Sequence, residues 1–281
     1  MIPQEFDYSA PATLREALDL IADGERKVLA GGMSLVPLMK LRLAAPEHVV
    51  DISRVPDLNH ITESGGVVHI GATATHHSLE LSPVIRGRCP LLAEAASHIG
   101  DTQVRNMGTI GGSIAHADPA ADYPASLLAL EAKIRLASAK SDRLVAASDF
   151  FLDPFTTAVE PGEIVVEILI DSEEPREGYR YEKVPHPASG FAVVGIAARI
   201  KKTGDKISLA RIGVTGMAPR AFRAVEAERI LESGGSLSNA AAAVGNGEEA
   251  NTDLYASADY RHHLARVWAE RALTVALSRA S

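Results

Sequence analysis

The chain has 281 residues, 46% hydrophobic and 23% charged, with a formal net charge of −8. That composition suits a soluble globular protein with two or three cores, and without basic runs interleaved with aromatics it excludes a nucleic-acid surface. The single cysteine, Cys89, excludes an internal disulfide framework and any iron–sulfur cluster held by four cysteines of this chain; a small apolar packing role suits it better. No apolar run nears the roughly 20 residues of a membrane span, and Met1-Ile2-Pro3-Gln4-Glu5-Phe6 lacks a basic segment followed by an apolar one. The expectation is a soluble, cytoplasmic chain.

In chain order, Thr13-Leu14-Arg15-Glu16 reads as a capping box opening a helix over 13–23, with Leu14, Ala17, Leu18 and Ile21 at helical spacing and Gly24 at its end. An apolar strand, Val28-Leu29-Ala30, leads into Gly31-Gly32, and Ser34 is placed to cap a helix over 35–43 with Pro37 in its first turn. A strand over 48–52 completes a small βαβ unit. Short strands at 58–62 and 67–70 flank Ser64-Gly65-Gly66, a hairpin signal. Thr75 caps a helix, and Pro90 starts another that ends at Gly100. A helix over 122–130 and strands over 133–138 and 164–170 predict an antiparallel sheet. Between those strands, Asp149 to Phe155 concentrates three of the six phenylalanines, as either core or a lid. From residue 176 onward, strands at 191–201 and 206–215 form a hairpin over Thr203-Gly204-Asp205. Helices follow at 221–232, 237–244 and 259–278, the last carrying Leu264, Val267, Trp268, Ala272 and Val275 on one stripe, with Trp268 as a buried packing residue. The expected division is 1–175, with subdomains of about 1–55 and 56–175, and 176–281.

Two stretches carry the chemistry: KVLAGGMSLVPLMKLRL at 27–43 and NMGTIGGSIAHADPAAD at 106–122. Each sets a diglycine among small or hydroxylated residues, so the backbone can turn tightly and leave N–H groups uncovered by a Cβ. Either stretch alone reads as an ordinary loop of an α/β protein; a strand, a diglycine turn and a helix start also make a phosphate site, and two such turns could hold one pyrophosphate. Without a GxGxxG pattern, the usual NAD-binding fold is not expected. His76, His77 and His116 have no marked third ligand, so no metal site is assigned. No Ser/His/Asp or Cys/His arrangement stands out, and no catalytic residue is assigned.

Ala30-Gly31-Gly32-Met33-Ser34, then Asn106-Met107-Gly108-Thr109-Ile110-Gly111-Gly112-Ser113-Ile114-Ala115, then Asp118 and Asp122, resemble the FAD-binding medium subunit of the molybdenum hydroxylases, of the carbon monoxide dehydrogenase and xanthine dehydrogenase family. The resemblance covers essentially the whole chain. It implies an α+β chain with a flavin-binding fold of the vanillyl-alcohol oxidase (PCMH) type in two subdomains, followed by a C-terminal α+β domain of antiparallel strands and a helical bundle. It further implies FAD as cofactor, a large molybdopterin subunit that hydroxylates the substrate, and a small subunit whose two 2Fe–2S clusters relay electrons. The assembly would be a dimer of heterotrimers, a heterohexamer, with NAD, a quinone or oxygen as acceptor. Two rival readings are a self-sufficient flavin oxidoreductase of the same superfamily and a non-redox nucleotide-binding module.

The resemblance assigns Ala30, Gly31, Gly32, Met33 and Ser34, with Thr109, Ile110, Gly111, Gly112 and Ser113, to the FAD pyrophosphate through amides and hydroxyls. Asp122 matches a nucleotide contact; a carboxylate suits a sugar hydroxyl rather than a phosphate, and the alternative is an N-cap of the following helix. Lys183 matches a lysine near the flavin ring, where a cation would raise the flavin's potential; the alternative is a solvated strand lysine. Val165 matches a residue packing on the ring. Ile99 stands where xanthine dehydrogenase has an aromatic, and Phe191 where carbon monoxide dehydrogenase is expected to have a tyrosine, so carbon monoxide is not assigned as substrate.

Overall fold

The computed structural model describes residues 2–172 and 176–280. The first layer is built from β1 (Asp7–Ser9), α1 (Leu14–Leu20), β2 (Lys27–Leu29), α2 (Leu35–Lys40) and β3 (His48–Asp51), with parallel strands in the order β1-β3-β2. The predicted βαβ unit is therefore present, and β1 is an addition too short to carry a pattern. Thr13 caps α1 by accepting from the Glu16 N–H, while the Glu16 carboxylate accepts from Ala12 instead of Thr13. Ser34 corrects its expectation: its backbone is already helical, with φ −103 and ψ −50, and its hydroxyl makes no capping bond.

The second unit opens with the hairpin β4 (Ile61–Ser64) and β5 (Val67–Gly71), whose turn residues Gly65 and Gly66 have φ of +59 and +81. Two positive φ values define the turn whose twist matches antiparallel strands, and glycine adopts them without strain. Helices α3 (His76–Leu81), α4 (Pro83–Arg88), α5 (Pro90–Ser97), α6 (Thr102–Met107), α7 (Ile110–His116) and α8 (Asp122–Ala129) follow. Next come β6 (Lys133–Ala137), β7 (Asp142–Ala146), α9 (Ala147–Phe150), β8 (Phe151–Asp153), β9 (Thr156–Thr157) and β10 (Ile164–Asp171). The antiparallel sheet has the order β4-β5-β10-β6-β7. The second diglycine stretch is helical, not an open turn: Thr109 caps α7 by accepting from the Gly112 N–H. Side-chain caps from Ser82 and Asp101 likewise define α4 and α6, which the apolar periodicity left unmarked.

The last unit is the sheet β11 (Glu177–Pro185), β12 (Ala192–Thr203), β13 (Lys206–Thr215) and β14 (Phe222–Arg223), in that order and antiparallel. Helices α10 (Val225–Glu232), α11 (Leu237–Ala242) and α12 (Ala258–Arg279) complete it. The helix expected from 221 starts later because Phe222 and Arg223 pair with β13. In α12 the buried seam is Leu264, Ala265, Ala269, Ala272, Leu273 and Ala276, and Trp268 is only half-buried, with the Arg271 guanidinium 4.4 Å from its ring centre. Small residues win here because helix and strand meet backbone to backbone: a Cβ on Gly178 of β11 would lie 2.0 Å from the Ala276 carbonyl.

Three cores result. One joins α1 and β3 to Ile164 and Val166 of β10, one lies between the five-stranded sheet and α3, α4, α5, α7 and α8, and one lies under α10–α12. Helix α8 belongs to the second core yet rests on the C-terminal sheet, since a Cβ on Gly213 would lie 1.9 Å from the Ala125 carbonyl. The architecture is α+β, as expected from the sequence.

Candidate functional site

A cavity of about 1040 Å³ opens where the three units meet. Its first wall is Ala30-Gly31-Gly32-Met33-Ser34, in the turn between β2 and α2. Gly31 needs its missing side chain to seat that turn, because a Cβ there would lie 1.8 Å from the Met107 carbonyl at the end of α6. Gly32 adopts φ +73. Among the described residues no group accepts a hydrogen bond from the N–H of Ala30, Gly31, Gly32, Met33 or Ser34. Five successive donors left unspent by the fold beside a cavity are available to an acceptor-rich ligand.

The facing wall comes from Thr109, Gly111, Gly112 and Ser113. Its amides differ from the first set. Ile110 donates to the Ala74 carbonyl at 3.0 Å and Gly111 to Ala72 at 2.9 Å, while Gly112 and Ser113 are taken up by Thr109. The expectation of two bare amide turns thus holds for the first alone; the second is a capped helix start whose amides are spent on the fold. Gly111 sits against Ala72, where its Cβ would come within 2.5 Å of the Ala72 side chain. Gly112 meets no backbone: a would-be Cβ there would lie 2.8 Å from the Thr109 hydroxyl and 3.9 Å from the Ala30 side chain of the first wall.

The cavity also takes in Asp118 and Ala121 before α8, Asp122 at its first position, Val165 on β10, Ile99, and Ser189-Gly190-Phe191 of the C-terminal unit. Of the residues selected from the sequence, all but Ile110 and Lys183 line it: Ile110 is wholly buried in the core, and Lys183 stands behind Asp122. The Lys183 ammonium donates to Asp122 Oδ2 at 2.9 Å and to the His98 carbonyl at 2.9 Å, and the Tyr181 hydroxyl donates to Asp122 Oδ1 at 2.5 Å. The N-cap of α8 is Ala121, not Asp122, and the Lys183 side chain is 1% exposed, so neither the cap nor the solvated-lysine alternative describes these residues. Burial pushes the Asp122 carboxyl above its ordinary range, against the opposing pull of Lys183 and Tyr181. Tyr181 was missed from the sequence, although strand alternation places it on the same face as Lys183, two residues on.

His76 lines the cavity and turns Nδ1 to the Tyr123 hydroxyl at 3.1 Å. Burial first and the nearby Arg105 second hold its pKa down at about 4, so the ring is neutral at pH 7. Burial likewise lowers that of His116, whose ring lies 5.1 Å from Phe155. The aromatic segment divides between its two readings: Phe150 and Phe151 are core, whereas Phe155 is exposed at the cavity, with φ 54. No group of three His, Cys, Asp or Glu among the described residues is arranged to hold a metal.

Comparison with known proteins agrees over the whole chain. A family profile described as the FAD binding domain in molybdopterin dehydrogenase matches residues 4–171, and one described as the CO dehydrogenase flavoprotein C-terminal domain matches residues 179–276. The chain is 41% identical to the carbon monoxide dehydrogenase medium chain of Hydrogenophaga pseudoflava, covering 99% of each. It is 38% identical to the 6-hydroxypseudooxynicotine dehydrogenase complex subunit alpha of Paenarthrobacter nicotinovorans, covering 100% of this chain and 97% of that one. A solved structure of carbon monoxide dehydrogenase from Hydrogenophaga pseudoflava superimposes with a TM-score of 0.96 at 41% identity, covering 100% of both chains.

Proposed function

The chain belongs to the family of FAD-binding medium subunits of molybdenum hydroxylases, and from that premise we propose that its cavity holds FAD and passes electrons on from partner subunits. The observation that carries the reading is the run of five uncovered amides, Ala30 to Ser34, facing the bare Gly112 across the cavity. Pyrophosphate oxygens accept hydrogen bonds and need donors; a neutral amide set supplies them where no arginine does. The fold accordingly is the FAD-binding PCMH type, and the chain acts as the flavin subunit of an oxidoreductase.

When bound, FAD supplies the redox chemistry. The chain's part is placement. The amides and the free Ser34 hydroxyl of the first wall bind the phosphates, with Thr109, Gly112 and Ser113 closing the second. Ile110 and Gly111 act by holding that wall to Ala74 and Ala72. Asp122 presents its carboxylate to a sugar hydroxyl, and Lys183 behind it supplies positive charge without reaching the cavity. Val165, Ile99 and Phe191 offer apolar surface that excludes water from a planar ring.

The relatives are medium subunits of multi-subunit dehydrogenases, and the partners inferred here are a large molybdopterin-binding subunit and a small subunit with two 2Fe–2S clusters. One cysteine cannot ligate such clusters, which suits that division of labour. We further infer a dimer of heterotrimers, cytoplasmic residence, and a boundary near residue 175 between the FAD domain, with subdomains of about 1–55 and 56–175, and the C-terminal flavoprotein domain. No described helix is long and apolar enough to cross a membrane. The test is an absorption spectrum of the chain alone and of its native complex, with any released flavin identified. FAD in the chain, joined by iron–sulfur and molybdenum signals in the complex, is expected; no flavin in either preparation would overturn the reading.

A further inference from the structure

The cavity wall Asp118–Asp122 belongs to the second unit, yet the C-terminal unit holds it. Gly216 N–H donates to the Pro119 carbonyl at 2.8 Å and Ala192 N–H to the Ala120 carbonyl at 3.1 Å. The Thr215 hydroxyl lies 2.9 Å from the Pro119 carbonyl and 2.7 Å from that of Ala121; with one proton for two acceptors, this is a three-centred bond. Thr215 is fully buried and does not line the cavity. Room for it comes from Gly195 on the adjacent strand, whose Cβ would lie 2.8 Å from Thr215 Cγ2 and 2.5 Å from the Tyr181 hydroxyl. The same bare glycine thus admits both Thr215 and the tyrosine that bonds Asp122.

Behind these strand ends stands Arg261 of α12, 4% exposed. One terminal nitrogen of its guanidinium donates to the carbonyls of Val193, at 2.5 Å, and Gly216, at 2.7 Å, and the other meets Asp253 at 2.5 Å. Val193 and Gly216 are chain neighbours of Ala192 and Thr215, whose N–H and O–H grip the wall. A continuous set of bonds therefore runs from Asp253 through Arg261 and Thr215 to Ala121, next to Asp122. None of Thr215, Arg261 and Asp253 lines the cavity.

We propose that Thr215 is a positioning residue for the bound cofactor: its buried hydroxyl, braced by Arg261, sets the Asp118–Asp122 wall and with it the reach of Asp122 into the cavity. This rests on the FAD reading. A hydroxyl shared by two carbonyls fixes their spacing in a way an apolar side chain of the same shape does not, since without it Pro119 keeps only the Gly216 N–H and the Ala121 carbonyl loses its donor.

The experiment compares wild type, Thr215→Val and Thr215→Ser, each purified as the full chain in its complex. Flavin content, FAD Kd after removal and re-addition of FAD, and the visible flavin spectrum are measured below the melting temperature. The valine variant, isosteric but without the hydroxyl, is expected to raise Kd roughly tenfold and shift the flavin bands, and the serine variant to restore both. A folded valine variant with wild-type Kd and spectrum, even one with lower thermal stability, overturns the proposal. If the valine variant does not fold, Arg261→Lys decides: one ammonium cannot span Asp253 and both carbonyls, so a raised Kd with shifted bands supports the proposal and unchanged values overturn it. A wild-type complex without FAD instead refutes the underlying cofactor reading.

Discussion

Replacing Lys183 by methionine should cost the FAD-free protein far more than an exposed lysine would. The Lys183 and Asp122 side chains are 1% and 4% exposed and 2.9 Å apart. At an effective dielectric of about 20 their gross attraction is about 6 kcal/mol. Desolvation of both groups offsets most of that gain, so the pair itself adds little net stability. Removing one partner is different, because Asp122 stays buried with only the Tyr181 hydroxyl to bond it. The expected loss is about 3–5 kcal/mol. Lys183→Met combined with Asp122→Leu leaves no buried charge and should recover most of it. Urea unfolding at pH 7, without added FAD, measures the two single variants, Lys183→Met and Asp122→Leu, and the double variant against wild type. A single-variant loss below about 1 kcal/mol, the value of an exposed pair, would refute the reasoning, as would simple additivity in the double variant.

Gly31→Ala should break the contact with the Met107 carbonyl, 1.8 Å from the new Cβ, and lower thermal stability strongly, whereas Gly87→Ala, with nothing within 4 Å, should not; equal melting temperatures would contradict the packing. Gly111 is a poor probe of cofactor binding, because its Cβ would strike Ala72 within the fold. Gly112→Val is the better one, because its Cβ meets the Thr109 hydroxyl, at 2.8 Å, and no backbone: a variant that folds, by circular dichroism, should have lost FAD, and a folded variant of normal flavin content would count against the facing-wall assignment. His76 is neutral in the folded protein, with a pKa of about 4 against 6.5 when unfolded. The unfolded chain therefore binds more protons between those values, and stability present above about pH 6.5 should fall by about 3 kcal/mol as pH drops toward 4. His76→Gln should flatten that decline in urea melts; an unchanged slope would show that other groups cause it.

Much of the site was legible in the residues themselves. The diglycine pairs, the strand before Gly31, the capping hydroxyls of Thr13 and Thr75 and the long apolar strands act through neighbours within a few positions, so their pattern survives in one dimension. That is why most of the selected residues line one cavity. Other features were decided only by contacts between distant segments. The second glycine stretch shared the diglycine of the first, yet two of its amides went to Ala72 and Ala74, carbonyls more than thirty positions upstream. Asp122 could also be read as a cap, and Lys183 as a solvated residue, until β11 laid both against one another across 61 positions. Thr215 carried no signal at all, since a threonine in a strand is ordinary and its acceptors, Pro119 and Ala121, lie in another unit. Local sequence thus determined which backbone would be bare and which segments would be helix or strand. Where the spared donors, the buried charge and the bracing hydroxyl found their partners was settled by how the three units pack, because hydrogen bonds and ion pairs depend on distance in space rather than along the chain.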